Sequence, residues 1–430
     1  MSAESPTIDL VRQERRPLHT PIGIFPSRNE RRSRVHRLGR LAATIALLLA
    51  TAPAVTQAKT LPTDLVDGTP ASERGVSLQS LPDVTVAEGA VVDSTGRLLW
   101  GRSPSARRPM ASITKIMTAV VALEHSSLAA TVTVPREAAV VGQSSAGLYA
   151  NQKISMGELL EALLVKSGND AAVAIAVDVG GSQKGFVDMM NAKAKDLGLT
   201  DTHYTNPHGL DAPGHYTTAR DLAVLARYAM AKPAFADIVR RRSVTIGHGK
   251  WRRTLYSTDL LLGIYDGAMG VKTGNTSGAG YSVVSAAQRQ GVMLYAIVMG
   301  TKSDRARFLD AKAMLDWGFA HYRPMRIANK GSVVAEAPVG DYLDTTVGAV
   351  VSKDATISVL DLNGPIQRTV QIGTAWAPVN AGDPVGTITY TQGSHVVATV
   401  PLVATAKVGK PNPFESLWIG VVRVWKRIFG

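Results

Sequence analysis

Arg108-Pro-Met-Ala-Ser-Ile-Thr-Lys-Ile-Met-Thr118 sets a serine and a lysine three residues apart, at the head of a segment whose apolar spacing predicts a helix from Ile113 to Glu124. Positions i and i+3 share a helix face, so the Lys115 amine can sit beside the Ser112 hydroxyl. An uncharged amine there would take the hydroxyl proton and make a nucleophile, provided that burial or nearby cations lower its pKa. The Ser112 N–H, at a helix N-terminus, can donate to a developing oxyanion. A capping serine followed by a solvated lysine would give the same tetrapeptide. Ser112 is, however, the only serine in the chain with lysine three positions on.

Two further triplets carry polar chemistry. Ser167-Gly168-Asn169 falls between helical patterns at Met156–Val165 and Asp170–Val179. A loop serine beside an amide offers a proton relay and a donor–acceptor pair for a peptide; a plain helix cap before Asp170 reads equally well. Lys272-Thr273-Gly274 leads from Gly270-Val271 into a strand-rich segment. On an edge strand its ammonium and hydroxyl can hold a carboxylate, and the glycine lets a peptide lie alongside. An ordinary exposed strand is the alternative.

Working outward, Val84–Ala87 and Ala90–Trp100 read as strands about a Ser-Thr-Gly turn. Gly280–Ala287 and Met293–Met299 read as buried strands, and Asp221–Met230 and Arg307–Phe319 as helices. From Val333 to Lys407, short alternating runs separated by Gly, Asn and Asp turns predict an all-β accessory domain at 330–408, without a cluster of reactive side chains. Residues 412–430 place Phe414, Leu417, Trp418, Val421, Trp425, Ile428 and Phe429 at helical spacing, with Arg423, Lys426 and Arg427 on another face. Such a helix lies in a bilayer interface, and Pro411 and Pro413 detach it from the β-domain. Docking on the protein's own core is the alternative.

At the other end, nine arginines between Arg12 and Arg40 precede the apolar run Leu41–Ala54, which is too short to span a bilayer and is followed by small residues up to Ala58. This predicts a basic n-region and signal peptide at 1–58, with retention as an anchor the alternative. Residues 59–83 read as a linker. The net charge of +13 is gathered near these two ends rather than in a basic stripe interleaved with aromatics, which argues against nucleic-acid binding. The absence of cysteine excludes disulfides, a thiol nucleophile and iron–sulfur clusters. His203, His208, His215 and Asp211 lie close together without metal-ligand spacing, so no metal and no cofactor is expected.

The three motifs, in this order, resemble the penicillin-binding protein and serine β-lactamase superfamily. With Lys166-Ser-Gly-Asn-Asp-Ala-Ala172 and His208-Gly-Leu-Asp-Ala212 the chain is similar to the low-molecular-mass D-alanyl-D-alanine carboxypeptidases from about Val84 to Tyr322. The resemblance implies an α/β (α+β) catalytic domain of the β-lactamase/transpeptidase kind at 84–325, an antiparallel sheet flanked by helices with a helical lobe, followed by the small all-β domain. It implies Ser112 as the acylated nucleophile, Lys115 as its base and Ser167 as the proton relay. Asn169 would hold the peptide; Lys272, Thr273 and Gly274 would bind the carboxylate end. The N–H groups of Ser112 and Asn275 would form the oxyanion hole, and Arg307 (or Arg305) would add positive charge. The implied substrate is the pentapeptide of peptidoglycan outside the cytoplasm, with β-lactams as inhibitors and a membrane surface as partner of the last helix. A β-lactamase, a D,D-endopeptidase and a non-catalytic wall-binding protein are the rival readings.

Overall fold

A computed structural model describes residues 63–393 and 395–429; the predicted n-region and signal peptide at 1–58 lie outside them. The part read as the catalytic domain is organised on seven antiparallel strands, in the order Thr69–Pro70, Leu65–Val66, Leu98–Arg102, Glu88–Asp93, Val292–Thr301, Gly280–Arg289 and Ala268–Thr276. Successive strand residues point to opposite faces. Ala90, Val92, Val284 and Ile297 therefore join one core, while Val91, Val283, Ala296 and Val298 join another. Both faces are covered, which explains the near-continuous apolar runs in the middle strands.

One core is shared with the helical lobe: Lys115–His125, Met156–Leu164, Asn169–Gly180 and Gln183–Asp196, with Ala219–Met230 lying against the sheet. The other lies under Asp304–His321. Local signals start and stop these helices. Ser155 and Glu158 form a reciprocal capping box, Thr218 and Ser303 cap through their hydroxyls, and Gly181 ends its helix at φ +68°. The Gln183–Asp196 helix escapes the sequence reading because only Phe186, Met190 and Ala194 are buried, a stripe too narrow to stand out.

Two boundaries need correction. The segment read as a linker at 59–83 is, from Asp64 onward, part of the folded unit: Leu65–Val66 and Thr69–Pro70 extend the sheet, and Ala71 and Leu81 are buried in its second core. Asp64 is fully buried and accepts hydrogen bonds from the Arg102 guanidinium at 2.9 and 3.0 Å and from the Trp100 indole at 3.2 Å. Its two-residue strands are too short to show a period. The predicted strand at Val84–Ala87 is unpaired extended chain, held where Thr85 donates twice to Asp310. At the far side, the catalytic part ends at His321 rather than at 325. The strand Tyr322–Ala328 pairs with Ala355–Leu360 of the β-domain.

The β-domain adds a five-stranded antiparallel sheet, Val333–Pro338, Thr346–Val351, His395–Ala404, Pro384–Gln392 and Ile366–Ile372, over its own core. The C-terminal helix Pro413–Phe429 buries only Ile419 and exposes Phe414, Trp418 and Trp425. Among the described residues, no helix is long and apolar enough to cross a membrane.

Candidate active site

The chain enters the nucleophile turn through Ala111, whose φ of +48° is costly for a residue with a Cβ. Residues Ala111–Thr114 form one 3₁₀ turn, and the α-helix starts at Lys115. Ser112 is half-buried while Lys115 is completely buried, so the hydroxyl is reachable and the amine is not. The Lys115 Nζ lies 2.8 Å from Ser112 Oγ, 2.7 Å from Asn169 Oδ1 and 2.6 Å from the His208 carbonyl oxygen.

That arrangement suits an uncharged amine. An uncharged amine would donate its two N–H groups to the two carbonyl oxygens and turn its lone pair to the serine O–H, whereas an ammonium would donate to all three oxygens. Electrostatics agree: burial first, and the Lys272 ammonium second, hold the Lys115 pKa well below its usual value, with Asp170 opposing.

The second motif arrives from the helical lobe. Ser167 is buried with φ +66°, and Asn169 is the first residue of its helix. The Asn169 carboxamide is largely spent on the protein: Oδ1 accepts from Lys115, and Nδ2 donates to the Gly142 carbonyl at 2.9 Å. One amide hydrogen is left over, so the Asn169 carboxamide first of all holds the Lys115 amine in place. Asp170 beside it accepts from Ser145 Oγ and from the N–H groups of Ala146, Gly147 and Leu148, and so fixes the loop that flanks the cleft.

The third motif is the outermost strand, Ala268–Thr276. Gly274 is what lets it approach the nucleophile: a Cβ there would stand 3.1 Å from Ala111 Cβ, Ile113 Cγ1 and the Met110 oxygen. Lys272 is buried, donates to its neighbour's carbonyl at 3.0 Å, and is pushed down to about 7 by burial, then by Arg307, against Asp259. Thr273 Oγ1 shares a hydrogen bond of 2.6 Å with Thr258 Oγ1, and Asn275 is exposed beyond it. Arg307 stands behind the strand, not open in the cleft. It donates to the Gly274 and Ser282 carbonyls at 2.9 and 3.2 Å and pairs with Asp304. Its guanidinium lies at the Gly274 carbonyl and lowers the pKa of Lys272, so any positive charge it adds to the site acts from behind the strand.

Comparisons with known proteins meet this geometry. Residues 77–303 match the family described as D-alanyl-D-alanine carboxypeptidase, and residues 322–410 match the C-terminal domain of penicillin-binding protein 5. The D-alanyl-D-alanine carboxypeptidase DacC of Escherichia coli strain K12 is 32% identical over 368 residues, covering 81% of this chain and 90% of its own. The chain belongs to the D-alanyl-D-alanine carboxypeptidase family. Among solved structures, penicillin binding protein 6B from Escherichia coli superposes with a TM-score of 0.60 at 30% identity, over 75% of this chain and 96% of its own. The D-alanyl-D-alanine carboxypeptidase of Mycobacterium tuberculosis H37Rv gives 0.53 at 37% identity, over 56% and 93%.

The carboxypeptidase motifs are braced by residues that sequence reading passed over. His215 accepts the Thr205 N–H on Nδ1 at 3.0 Å, so its Nε2 carries the proton and donates to Thr114 Oγ1 at 2.7 Å. Thr114 in turn donates to the Ala111 carbonyl at 2.8 Å, holding the strained residue in place. His208 gives its carbonyl to Lys115, while its Nδ1 accepts from the Leu210 N–H. Both imidazoles are pushed down to about 4, chiefly by burial, and stay neutral. Gly209 is required here: a Cβ would come within 1.9 Å of the Ala111 oxygen. The ring nitrogens that bond in this histidine cluster bond to the protein itself. Thr258 ties the last two motifs together, since its N–H donates to the Val165 carbonyl, two residues before Ser167. Asp259 is buried, pushed up to about 6 by desolvation, and keeps Oδ2 without a partner near the two cations. None of these has a local sequence signature. The one available hint is the run of Gly, Pro and His between Pro207 and His215, which marks a shaped loop rather than a linker.

Proposed function

We propose that this serine-type carboxypeptidase removes the terminal D-alanine from the pentapeptide of peptidoglycan through an ester on Ser112. The Lys115 lone pair takes the hydroxyl proton as Ser112 Oγ attacks the penultimate carbonyl carbon. The N–H groups of Ser112 and Asn275 receive the oxyanion. The C–N bond breaks, the departing D-alanine amine takes up a proton relayed from Lys115 through Ser167, and water then hydrolyses the ester by the reverse sequence. Lys272 and Thr273 hold the substrate carboxylate, with Arg307 setting the potential behind them. The observation that carries this reading is the Lys115 amine, dry and 2.8 Å from Ser112 Oγ, between two carbonyl acceptors.

β-Lactams enter by the same attack. No glutamate occurs between Asn169 and Lys272 to activate a deacylating water as in class A β-lactamases, so the drug ester persists and inhibits. The test is release of D-alanine from a pentapeptide by the full chain, with none from Ser112→Ala. Rapid turnover of penicillin, or cleavage of cross-links without D-alanine release, would count against the assignment.

The arginine-rich start and apolar run support export, and the last helix supports peripheral attachment to the outer face of the membrane. Its aromatic residues face solvent along Pro413–Phe429. Arg423 donates to the Gly340 and Tyr342 carbonyls of the β-domain, which leaves Lys426 and Arg427 as the cations for an anionic surface. Co-flotation with anionic lipid vesicles, lost on deleting residues 413–430, checks this; equal flotation would refute it.

A further inference from the structure

Thr258 stands outside the three motifs, but its hydroxyl meets the third: Thr258 Oγ1 lies 2.6 Å from Thr273 Oγ1. We propose that Thr258 is a positioning residue for recognition of the substrate carboxylate, donating its proton to Thr273 so that the Thr273 O–H is left to donate to the anion. This assignment rests on the carboxypeptidase reading and extends it to how a negative charge is sensed.

A threonine hydroxyl has one proton and two lone pairs. Only one proton fits between two hydroxyl oxygens 2.6 Å apart, so the pair has two senses. When Thr273 donates to Thr258, it has only lone pairs left to offer, and these repel an anion. When Thr258 donates to Thr273, the Thr273 proton is free for the carboxylate. A bound anion selects the second sense, and a hydroxyl that already accepts a hydrogen bond is the better donor. Among the described residues neither oxygen has another hydrogen-bond partner, so no protein group competes for the two protons.

The same bond fixes a rotamer. Thr273 is buried on the outermost strand, and its χ1 has three staggered wells. Contact with Thr258 holds Oγ1 in one of them. Thr258 can do this because its own turn is pinned. Its N–H donates to the Val165 carbonyl at 3.3 Å, and the Ser257 N–H to the Arg242 carbonyl at 2.9 Å. The Asp259 N–H donates to Ser257 Oγ at 3.1 Å, and the Leu261 N–H to Asp259 Oδ1 at 3.0 Å. Val165 closes the Met156–Leu164 helix just before Ser167, so the turn joins the helical lobe to the edge strand.

The test times acylation of the full chain by benzylpenicillin and by its methyl ester, which keeps the reactive ring and removes the negative charge. The ratio of the two rates reports recognition of the charge and is insensitive to a uniform loss of activity. Thr258→Val keeps the shape and removes the hydroxyl. Because a charge-assisted hydrogen bond outweighs a neutral one, this ratio should fall about tenfold in that variant. Thr258→Ser keeps the hydroxyl and should return the ratio to within about threefold of wild type. In a Thr273→Val background, Thr258→Val should change the ratio by less than about twofold, since the donor it acts through is gone. A brace without this role would slow both reactions alike. An unchanged ratio in Thr258→Val, no recovery in Thr258→Ser, or the same loss in the Thr273→Val background overturns the assignment to Thr258. Should Thr258→Val not fold, Thr258→Ala measured against Thr258→Ser decides on the same ratio. Absence of any label on Ser112 in the wild type overturns the carboxypeptidase reading instead.

Discussion

Lys272 sits almost wholly out of water with the Arg307 guanidinium nearby, and its amine titrates at about 7 instead of its ordinary 10.5. That gap corresponds to about 5 kcal/mol of penalty on the charged form. The sign follows from linkage. The unfolded chain holds the proton up to 10.5, whereas the native state releases it at about 7. The penalty is therefore complete below pH 7, shrinks between 7 and 10.5, and vanishes above. Lys272→Met keeps much of the volume and removes the charge. It loses the hydrogen bond to the Thr273 carbonyl, about 1 kcal/mol, and a cation near Asp259. The net expectation is a gain of about 3 kcal/mol at neutral pH. Urea unfolding followed by tryptophan fluorescence, at about pH 6, 8 and 10, measures it. The methionine variant should be the more stable at the two lower values and nearly equal to wild type at the highest. Its acylation by penicillin should fall about 100-fold, because a charge-assisted hydrogen bond to the carboxylate is gone. A variant less stable than wild type at neutral pH, or a gain that does not shrink as pH rises, would refute the reasoning.

Further expectations concern the neighbouring residues. Gly274→Ala drives a methyl group against Ala111, Ile113 and the Met110 carbonyl, so the strand must retreat from the nucleophile. Stability should drop by about 1–3 kcal/mol and acylation by at least about tenfold, and unchanged acylation would remove Gly274 as the spacer. Asn169→Ala takes an acceptor from Lys115 and a donor from Gly142; a loss of about 1–3 kcal/mol with slower acylation is expected, whereas a variant slower only in binding peptide would make Asn169 a substrate ligand instead. The alkaline limb of kcat/KM should fall near the Lys272 value of about 7, since that ratio reports the free enzyme. The limb of kcat should lie higher, because the bound carboxylate stabilises the ammonium, and coincident limbs would contradict this assignment.

The parts of this site that were legible in sequence are those whose chemistry is local. Ser112 and Lys115 share one helical turn, and the Gly274 spacer is part of its own motif. The long strands at Gly280–Arg289 and Val292–Thr301 announced themselves by sustained apolar runs. What stayed hidden depends on partners far along the chain. Asp64 gains meaning only opposite Arg102, Thr258 only opposite Thr273, and His215 only under Thr114. Asn169 could be read from sequence only as a holder of the peptide, because nothing local shows that its oxygen also accepts from Lys115. Arg307 could be named from sequence as a candidate, but its engagement with the Gly274 carbonyl is set by the packing of a helix on a sheet. The Gln183–Asp196 helix was missed for want of a broad apolar face.

Catalysis as proposed requires an uncharged Lys115 serving as the base for Ser112, and one kinetic measurement reaches it directly. The full chain and its Lys115→Met variant are mixed with labelled benzylpenicillin, and the modified peptide is identified while its formation is timed. Label on Ser112 in the wild type, forming at least about a thousandfold more slowly in a variant that remains folded, is the predicted result. Label on any other residue, or wild-type acylation without the Lys115 amine, would contradict it.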